Sequence, residues 1–449
     1  MNKKILVLKT KFIVAATLLI SLASFSQKQW TLKECVDHAL ENNITIKQNK
    51  LNIELAKKDV EIAKGNFLPD LNASGGGAFA IGPVINQVTN TRVGSTNSLS
   101  GSGNLSSSIN IFNGFRNLNT KKQSLLGVKR SELDLKIIEN DISLNVVNTY
   151  LNVLFAKENL NVAKVQAEIS KKQIDRSKAQ FEAGAIPKGD LLNVKSTAVT
   201  DAQNVIAQEN TLNLALLRLS QLLQVPFKNF DVQSININSP SETLMYNSSN
   251  VVFEKALTLR PEINKANLNV ENADLSVELS KGAYLPTVSA SAGARTNFYY
   301  DLERDLGEPS LFKQLNNQLN YSLGLNVNIP IFNRFQTKNR VAKSIINKEN
   351  SKLVLESQKL QLRQTIEQSF LDAKAAAKTF EAAQVSLEAQ NEAFNNAQVS
   401  YEYGSMTQFD FDQVRNRLVN AEGAMIRAKY DYVFKTKVLK FYYGESILD

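Results

Sequence analysis

Residues 115–183 contain one glycine, Gly127, and no proline, and residues 335–403 contain neither. Proline removes a backbone donor and glycine adds backbone entropy, so stretches without them can propagate a single helix. In the first stretch apolar residues recur at three and four, as in Val147, Leu151 and Leu154, with Asn, Lys, Glu and Gln on the other faces. About 69 residues at ~1.5 Å each make a rod of roughly 100 Å, longer than any compact domain needs. A dimeric coiled coil would use such a rod, but strands inserted between the helices of a duplicated unit do not suit one.

The two stretches belong to an internal repeat. Ala39-Leu40 corresponds to Ala256-Leu257, and Phe67-Leu68-Pro69 to Tyr284-Leu285-Pro286. Ile111-Phe112-Asn113-x-Phe115 corresponds to Ile331-Phe332-Asn333-x-Phe335, Gly184 to Gly404, and Asp190 to Asp410, all at offsets of roughly 217 to 220 residues. Each half is therefore read as helix, strand pair, very long helix, turn, helix. The first repeat spans 27–225, with strands in 71–112, the long helix at 115–183 and a second helix at 188–224. A linker rich in Asn, Ser and Pro, 226–250, precedes the second repeat, 251–443, with strands in 287–332 and helices at 335–403 and 408–443; 444–449 is a tail. The opening helical pattern runs from Trp30 to about Asn66, with Thr31 placed as N-cap and Glu34 as its capping-box partner. Gly184 and Gly404 sit where helices end and new helical patterns begin at once, so each long rod turns back antiparallel on its successor.

Residues 1–26 read as a secretory signal: Lys3, Lys4, Lys9 and Lys11 precede the apolar run from Phe12 to Ile20, and Ser24-Phe25-Ser26 is a small-residue exit before Gln27. The alternative, an uncleaved anchor, conflicts with an apolar core well short of the ~20 residues a spanning helix needs. No cysteine sits at the end of the segment to accept a lipid. The chain carries 52 basic and 43 acidic residues for a net +9, and the signal holds four of the lysines and no acid. The remaining charges are interspersed, with no basic block, so no nucleic-acid partner is expected. One His, one Cys and one Trp in 449 residues exclude an intrachain disulfide and leave no soft-ligand set for zinc or iron–sulfur. No nucleophile, base and orienting group are grouped, so no catalytic, cofactor or metal residues are assigned. His38 reads as solvated or core-edge, Cys35 as a small packing residue, Trp30 as stacking at the helix start, and Tyr442 and Tyr443 as packing the last helix.

The strand segments carry the membrane signal. In residues 321–331, Tyr321, Leu323, Leu325, Val327, Ile329 and Ile331 share one face, opposite Ser322, Gly324, Asn326, Asn328 and Pro330. A tilted strand of about that length crosses a bilayer. Residues 104–112 alternate likewise, and weaker strands rich in Gly, Ala and Ser precede each, at 71–81 and 287–298. A half-buried soluble strand alternates too. Small uncharged polar faces and loops of about 20 residues, at 82–103 and 299–318, favour a transmembrane barrel. Four strands cannot close one, because even small barrels have eight, and an open edge is not tolerated in lipid. Other copies of the chain must complete it.

Together the signal, the repeat, Phe67-Leu68-Pro69 and Tyr284-Leu285-Pro286, Ile111-Phe112-Asn113-Gly114 and Ile331-Phe332-Asn333-Arg334, Leu259-Arg260-Pro261-Glu262 and the Gly-centred turns resemble the TolC family of outer-membrane efflux proteins. The resemblance covers essentially the whole mature chain. It implies a mainly α fold with membrane β: a homotrimer whose four strands per chain form one 12-stranded barrel in outer-membrane lipid, joined to a barrel of helical hairpins crossing the periplasm of a Gram-negative bacterium. It further implies a passive exit duct for a tripartite efflux pump or type I secretion system, with no cofactor, coupled by a periplasmic adaptor to an inner-membrane transporter.

In that family acidic side chains after the second hairpin turn ring a periplasmic aperture. Asp410 falls at the first acidic position, while the second falls at Gln413, with Asp412 displaced by one. Asp190 occupies the matching site of the first repeat, where the family has an acid that holds the closed state, and Tyr401 matches the family tyrosine before the turn. The basic partner of that latch would be Met406, which forms no salt bridge, so any latch here must use other contacts. The hairpin tips Gly184, Ala185, Gly404 and Ser405 are the expected adaptor contacts. A bland alternative exists for the acids: Asp in the first turn of a helix is favoured by capping and the helix dipole. The alternative for the chain is a periplasmic coiled-coil scaffold or adhesin that conducts nothing.

Overall fold

The computed structural model describes residues 29–86, 90–235, 246–303 and 309–447. The expected signal, 1–26, lies outside them. The chain divides into two compact units, one of Met1–Gln48, Lys136–Arg260 and Leu360–Asp449, the other of Asn49–Leu135 and Pro261–Lys359.

The helices are α1 (Leu32–Asn42), α2 (Ile44–Gly65), α3 (Arg116–Glu182), α4 (Lys188–Leu223), α5 (Ser249–Leu259), α6 (Pro261–Lys281), α7 (Leu311–Asn317), α8 (Gln336–Glu402) and α9 (Gln408–Tyr443). The repeat is exact in length for its long helices: α3 and α8 each have 67 residues, and α4 and α9 each have 36. The single helix expected from Trp30 to Asn66 is instead broken at Asn43. That residue adopts φ −58°, ψ 130°, and its side-chain oxygen accepts from the amides of Thr45 at 2.8 Å and Ile46 at 3.4 Å, capping α2. The second repeat breaks at the corresponding Arg260 by another route: φ −70°, ψ 124° is the extended conformation that a following proline imposes, and Pro261 then opens α6. The capping box at Thr31 and Glu34 is present.

In the first unit the core gathers Val147, Tyr150 and Leu154 of α3, Leu219 and Leu223 of α4, and Cys35 of α1, all but sealed from solvent. Residues 226–250 are more than a linker. Within them β4 (Asp231–Val232) pairs in parallel with β1 (Gln29–Trp30). The Tyr150 hydroxyl lies 3.1 Å from the Trp30 carbonyl and 2.6 Å from that of Gln233, and Lys157 Nζ reaches the Val232 carbonyl at 2.6 Å. A buried phenol and a lysine thus satisfy backbone groups that a two-residue ladder leaves open. His38 stands edge-on to Trp30 at 5.1 Å with Nδ1 3.2 Å from the Asn42 amide, a packed core-edge residue.

The second unit holds β2 (Asn72–Asn86), β3 (Thr91–Asn113), β5 (Thr287–Asp301) and β6 (Asn320–Asn328), antiparallel in the order β2-β3-β5-β6. The loop expected at 82–103 is mostly hairpin, because β2 runs to Asn86 and β3 starts at Thr91; Gly82-Pro83 and the Ser, Thr and Asn around them hid the alternation. The 299–318 loop contains α7. β6 ends at Asn328 rather than 331, since Pro330 has no amide to give a ladder.

The Ile-Phe-Asn-x-Phe motif is the joint between sheet and long helix. Gly114 and Phe115 have φ of 67° and 60°, and Arg334 and Phe335 of 56° and 62°, so both repeats use two successive left-handed residues to turn. Asn113 accepts from the Asn117 amide at 3.2 Å, while Asn333 bonds the Thr337 hydroxyl. Phe112 meets Phe115 edge-on at 5.2 Å, and Phe332 meets Phe335 at 5.5 Å. Gly114 has no substitute in its own joint: a Cβ there would strike the Gly282 carbonyl.

Candidate functional site

Two features are the candidates for function, the hairpin turns of the first unit and the two faces of the sheet in the second. At the first turn Gly184 has φ 77°, and the amides of Gly184 and Ala185 bond the carbonyls of Phe181 at 2.9 Å and Gln180 at 2.8 Å. At the second, Gly404 has φ 74°, and Gly404 and Ser405 bond Tyr401 at 3.1 Å and Ser400 at 3.0 Å. Both are left-handed glycine caps that satisfy the last helical carbonyls. Gly184, Ala185, Gly404 and Ser405 are all exposed.

The acids that follow are held differently. Thr407 caps α9 by accepting from the Asp410 amide at 3.1 Å, and its hydroxyl donates to the Asp410 carboxylate at 2.7 Å, leaving that carboxylate exposed and fixed at the first turn. In the first repeat Pro187 stands at the cap, and only the Asp190 amide is engaged, by the Pro187 carbonyl at 3.1 Å. Asp412 is half-buried and accepts from Gln408 Nε2 at 3.0 Å.

Tyr401 lies at the centre of this region. Its ring stacks on Phe411 at 4.8 Å, the Arg176 guanidinium sits over its other side at 5.1 Å, and its hydroxyl donates to the Gln408 side chain. Burial pushes the Tyr401 phenol above its ordinary pKa, and the Asp412 and Asp190 carboxylates push the same way. Tyr401, Asp190 and Asp412 therefore share one electrostatic neighbourhood. Met406 packs against the apolar cluster of Phe394, Ala397, Phe411 and Leu418.

Sequence reasoning missed the basic side chains that serve this region. Arg415 is buried on α9, with Nη1 3.2 Å from the Asp201 carboxylate of α4 and bonded to the Ser170 hydroxyl of α3, and with Nε 4.0 Å from Asp412. Ser170 also donates to Asp201. The signal was there: Phe411, Arg415 and Leu418 follow the spacing of a buried helical stripe, which put a charge where an apolar residue belongs.

The sheet separates two surfaces. Opposite partners in the antiparallel register share a face, so Tyr321, Leu323 and Leu325 of β6 line up with Ala294, Ala292 and Ala290 of β5 and then Leu105, Ser107 and Ile109 of β3. Tyr321 is 79% and Leu323 90% exposed. The other face carries Ser289, Ser291 and Asn297 of β5, Asn104 and Ser106 of β3, and Ser322 and Asn326 of β6. A large uncovered apolar face backed by a small-polar one is the pattern of a strand set with lipid on one side and water on the other. No helix among the described residues is long and apolar enough to cross a membrane.

The family profile described as Outer membrane efflux protein matches residues 35–224 and 252–445, most of the chain in two halves. The chain belongs to the outer membrane efflux protein family. This is a family of outer-membrane channels with a periplasmic helical domain, not of enzymes. Outer membrane protein TolC of Escherichia coli strain K12 is 23% identical over 259 residues, 55% of this chain and 52% of that protein, so the match spans about half the length of the curated relative. The crystal structure of the Campylobacter jejuni CmeC outer membrane channel superposes with a TM-score of 0.78 at 22% identity, covering 92% of this chain and 85% of that one. The outer membrane protein VceC of Vibrio cholerae does so with 0.74 at 14% identity, covering 93% and 96%. At these identities the likeness to solved structures is one of fold. The efflux-protein fold accounts for long antiparallel helices and four antiparallel strands in one chain.

Proposed function

We propose that the chain assembles as a homotrimer into a passive exit duct of the outer membrane, serving a tripartite efflux pump or a type I secretion system. The observation that supports this most is the open four-stranded sheet. Among the described residues both edge strands, β2 and β6, lack an outer partner, and the apolar face is bare. Unpaired backbone is costly in hydrocarbon, so a strand set of this kind needs further copies to close, and three copies give a barrel of 12 strands. The small-polar face then lines the lumen and the apolar face meets lipid.

In this reading the hairpin turns form the periplasmic end. Gly184, Ala185, Gly404 and Ser405 contact a periplasmic adaptor, and Asp410, Asp190, Asp412 and Tyr401 surround the aperture. Three exposed Asp410 carboxylates near a symmetry axis favour cations and obstruct anions. The duct performs no chemistry, and an inner-membrane transporter supplies the energy. Outer-membrane fractions run without and with heating test the assembly: heat-dissociable trimer bands are expected, and a chain that stays monomeric in the outer membrane overturns it.

A further inference from the structure

We propose that Arg295 forms an anion-binding ring in the lumen of the barrel, taking a carboxylate, phosphate or sulfate group of a solute in transit. The site rests on the duct reading above. Where β5 is paired on both sides, residues 287–295 against 104–113 of β3 and 320–328 of β6, Arg295 is the one charged side chain; Arg92 and Asp301 of the sheet lie beyond that stretch, and Asp301 is buried. A charge within membrane-spanning segments is costly and is retained where it faces water and acts on a solute or partner.

The register assigns its direction. Arg295 stands opposite Asn104 of β3 on one side and Asn320 of β6 on the other, on the face of Ser289, Ser291 and Asn297. Its neighbours Ala294 and Thr296 are on the face that continues the Tyr321 and Leu323 stripe, so the guanidinium is not aimed at lipid headgroups. Arg295 is exposed, and no carboxylate lies within ion-pair distance of it among the described residues. A planar guanidinium offers a fork of donors matched to oxyanions, and Asn104 and Asn320 add amide donors beside it. Its position, next to the first residue of β6, is at the Tyr321 end of the apolar stripe and away from the strand ends that join the long helices. Three copies place three guanidinium groups at one level of the lumen. Because exposed charges are screened over about 8 Å at physiological salt, the ring acts on a solute that comes close and acts most strongly in dilute electrolyte.

The experiment is block of single channels of the full chain in planar bilayers, with inorganic tripolyphosphate added on the barrel side. Wild type is expected to show block that weakens as salt rises. Arg295→Gln weakens that block by about tenfold, Arg295→Lys retains most of it, and Arg295→Glu abolishes it, since Gln removes the charge, Lys keeps it and Glu reverses it. Equal block in wild type and Arg295→Gln overturns the site, as does a wild-type channel that tripolyphosphate does not block. A wild-type chain that forms no pores at all overturns the duct itself, and the ring with it.

Discussion

Arg415 on α9 and Asp201 on α4 form an ion pair of 3.2 Å in which the arginine side chain is only 4% exposed and the aspartate 20%. The pair joins helices of both hairpins. Removing one partner of a buried pair leaves the other charge without compensation, at a cost of about 3–5 kcal/mol. Asp201→Ala leaves the arginine, which is the deeper group, with only the more distant Asp412 carboxylate at 4.0 Å, whereas Arg415→Met strands an aspartate that water can reach. Thermal melting of the purified protein should therefore rank Asp201→Ala as the more destabilising. The reverse order would mean that the arginine is not held by this carboxylate.

Asp410 has two roles that one substitution can separate. Asp410→Asn keeps an oxygen to accept from the Thr407 hydroxyl but removes the charge. If the carboxylate rings the aperture, this variant melts as wild type does and loses most of its cation preference in bilayer recordings. Asp410→Ala should lose the preference and also about 1 kcal/mol of cap-related stability. Unchanged selectivity in both variants would leave Asp410 as a helix cap alone.

Gln314 of α7 stands in for a missing strand. Beyond the Arg295–Asn320 pair β5 has no strand neighbour on that side among the described residues, and the Gln314 side chain accepts from the Tyr299 amide and donates to the Tyr299 carbonyl, both at 2.9 Å. Its amide copies the pattern of a backbone peptide. Gln314→Leu removes both side-chain bonds to this buried residue's backbone, at a cost of roughly 1–3 kcal/mol each. The expected readout is faster tryptic cleavage at Lys313 than in wild type, with cleavage elsewhere in the chain unchanged.

Glu422 supplies a pH dependence. Burial raises its pKa above the usual 4.5, opposed only by the Gln166 side chain. A carboxyl whose folded pKa lies above its unfolded value binds protons more readily when folded. Its contribution to stability is present in full below the unfolded value and is lost as pH rises through the folded one. Glu422→Gln should therefore raise the melting temperature at pH 7 and leave it nearly unchanged at pH 4. An equal shift at both pH values would point to packing instead of charge.

The helices and the repeat were legible because their signals are long and local: runs without Gly or Pro, glycine at each turn, and the Thr31–Glu34 box. The breaks at Asn43 and Arg260 escaped because each depends on one residue's backbone inside an otherwise helical pattern. The upper halves of β2 and β3 escaped for a different reason. A strand whose two faces are both small or polar has no period to read, and its pairing is set by its neighbours across the sheet. Tyr401, Asp190, Asp410 and Asp412 were singled out by family resemblance; the Asp412 and Asp190 carboxylates act on the Tyr401 phenol, and Asp410 is held by Thr407. Arg415, Asp201 and Ser170 are far apart in sequence, and only packing of three helices brings them into one network.

The pairing of Gln29–Trp30 with Asp231–Val232 has a consequence for the order of folding. A chain exported from its N-terminus delivers the first strand about 200 residues before its partner, and closing a loop of that length costs on the order of 5 kcal/mol. Until residue 233 has arrived, Tyr150 also lacks one of the two carbonyls its hydroxyl braces. Gln29–Trp30 thus stays unpaired until the segment after α4 has been delivered, which makes the first repeat dependent on the linker that follows it for the moment at which it becomes native.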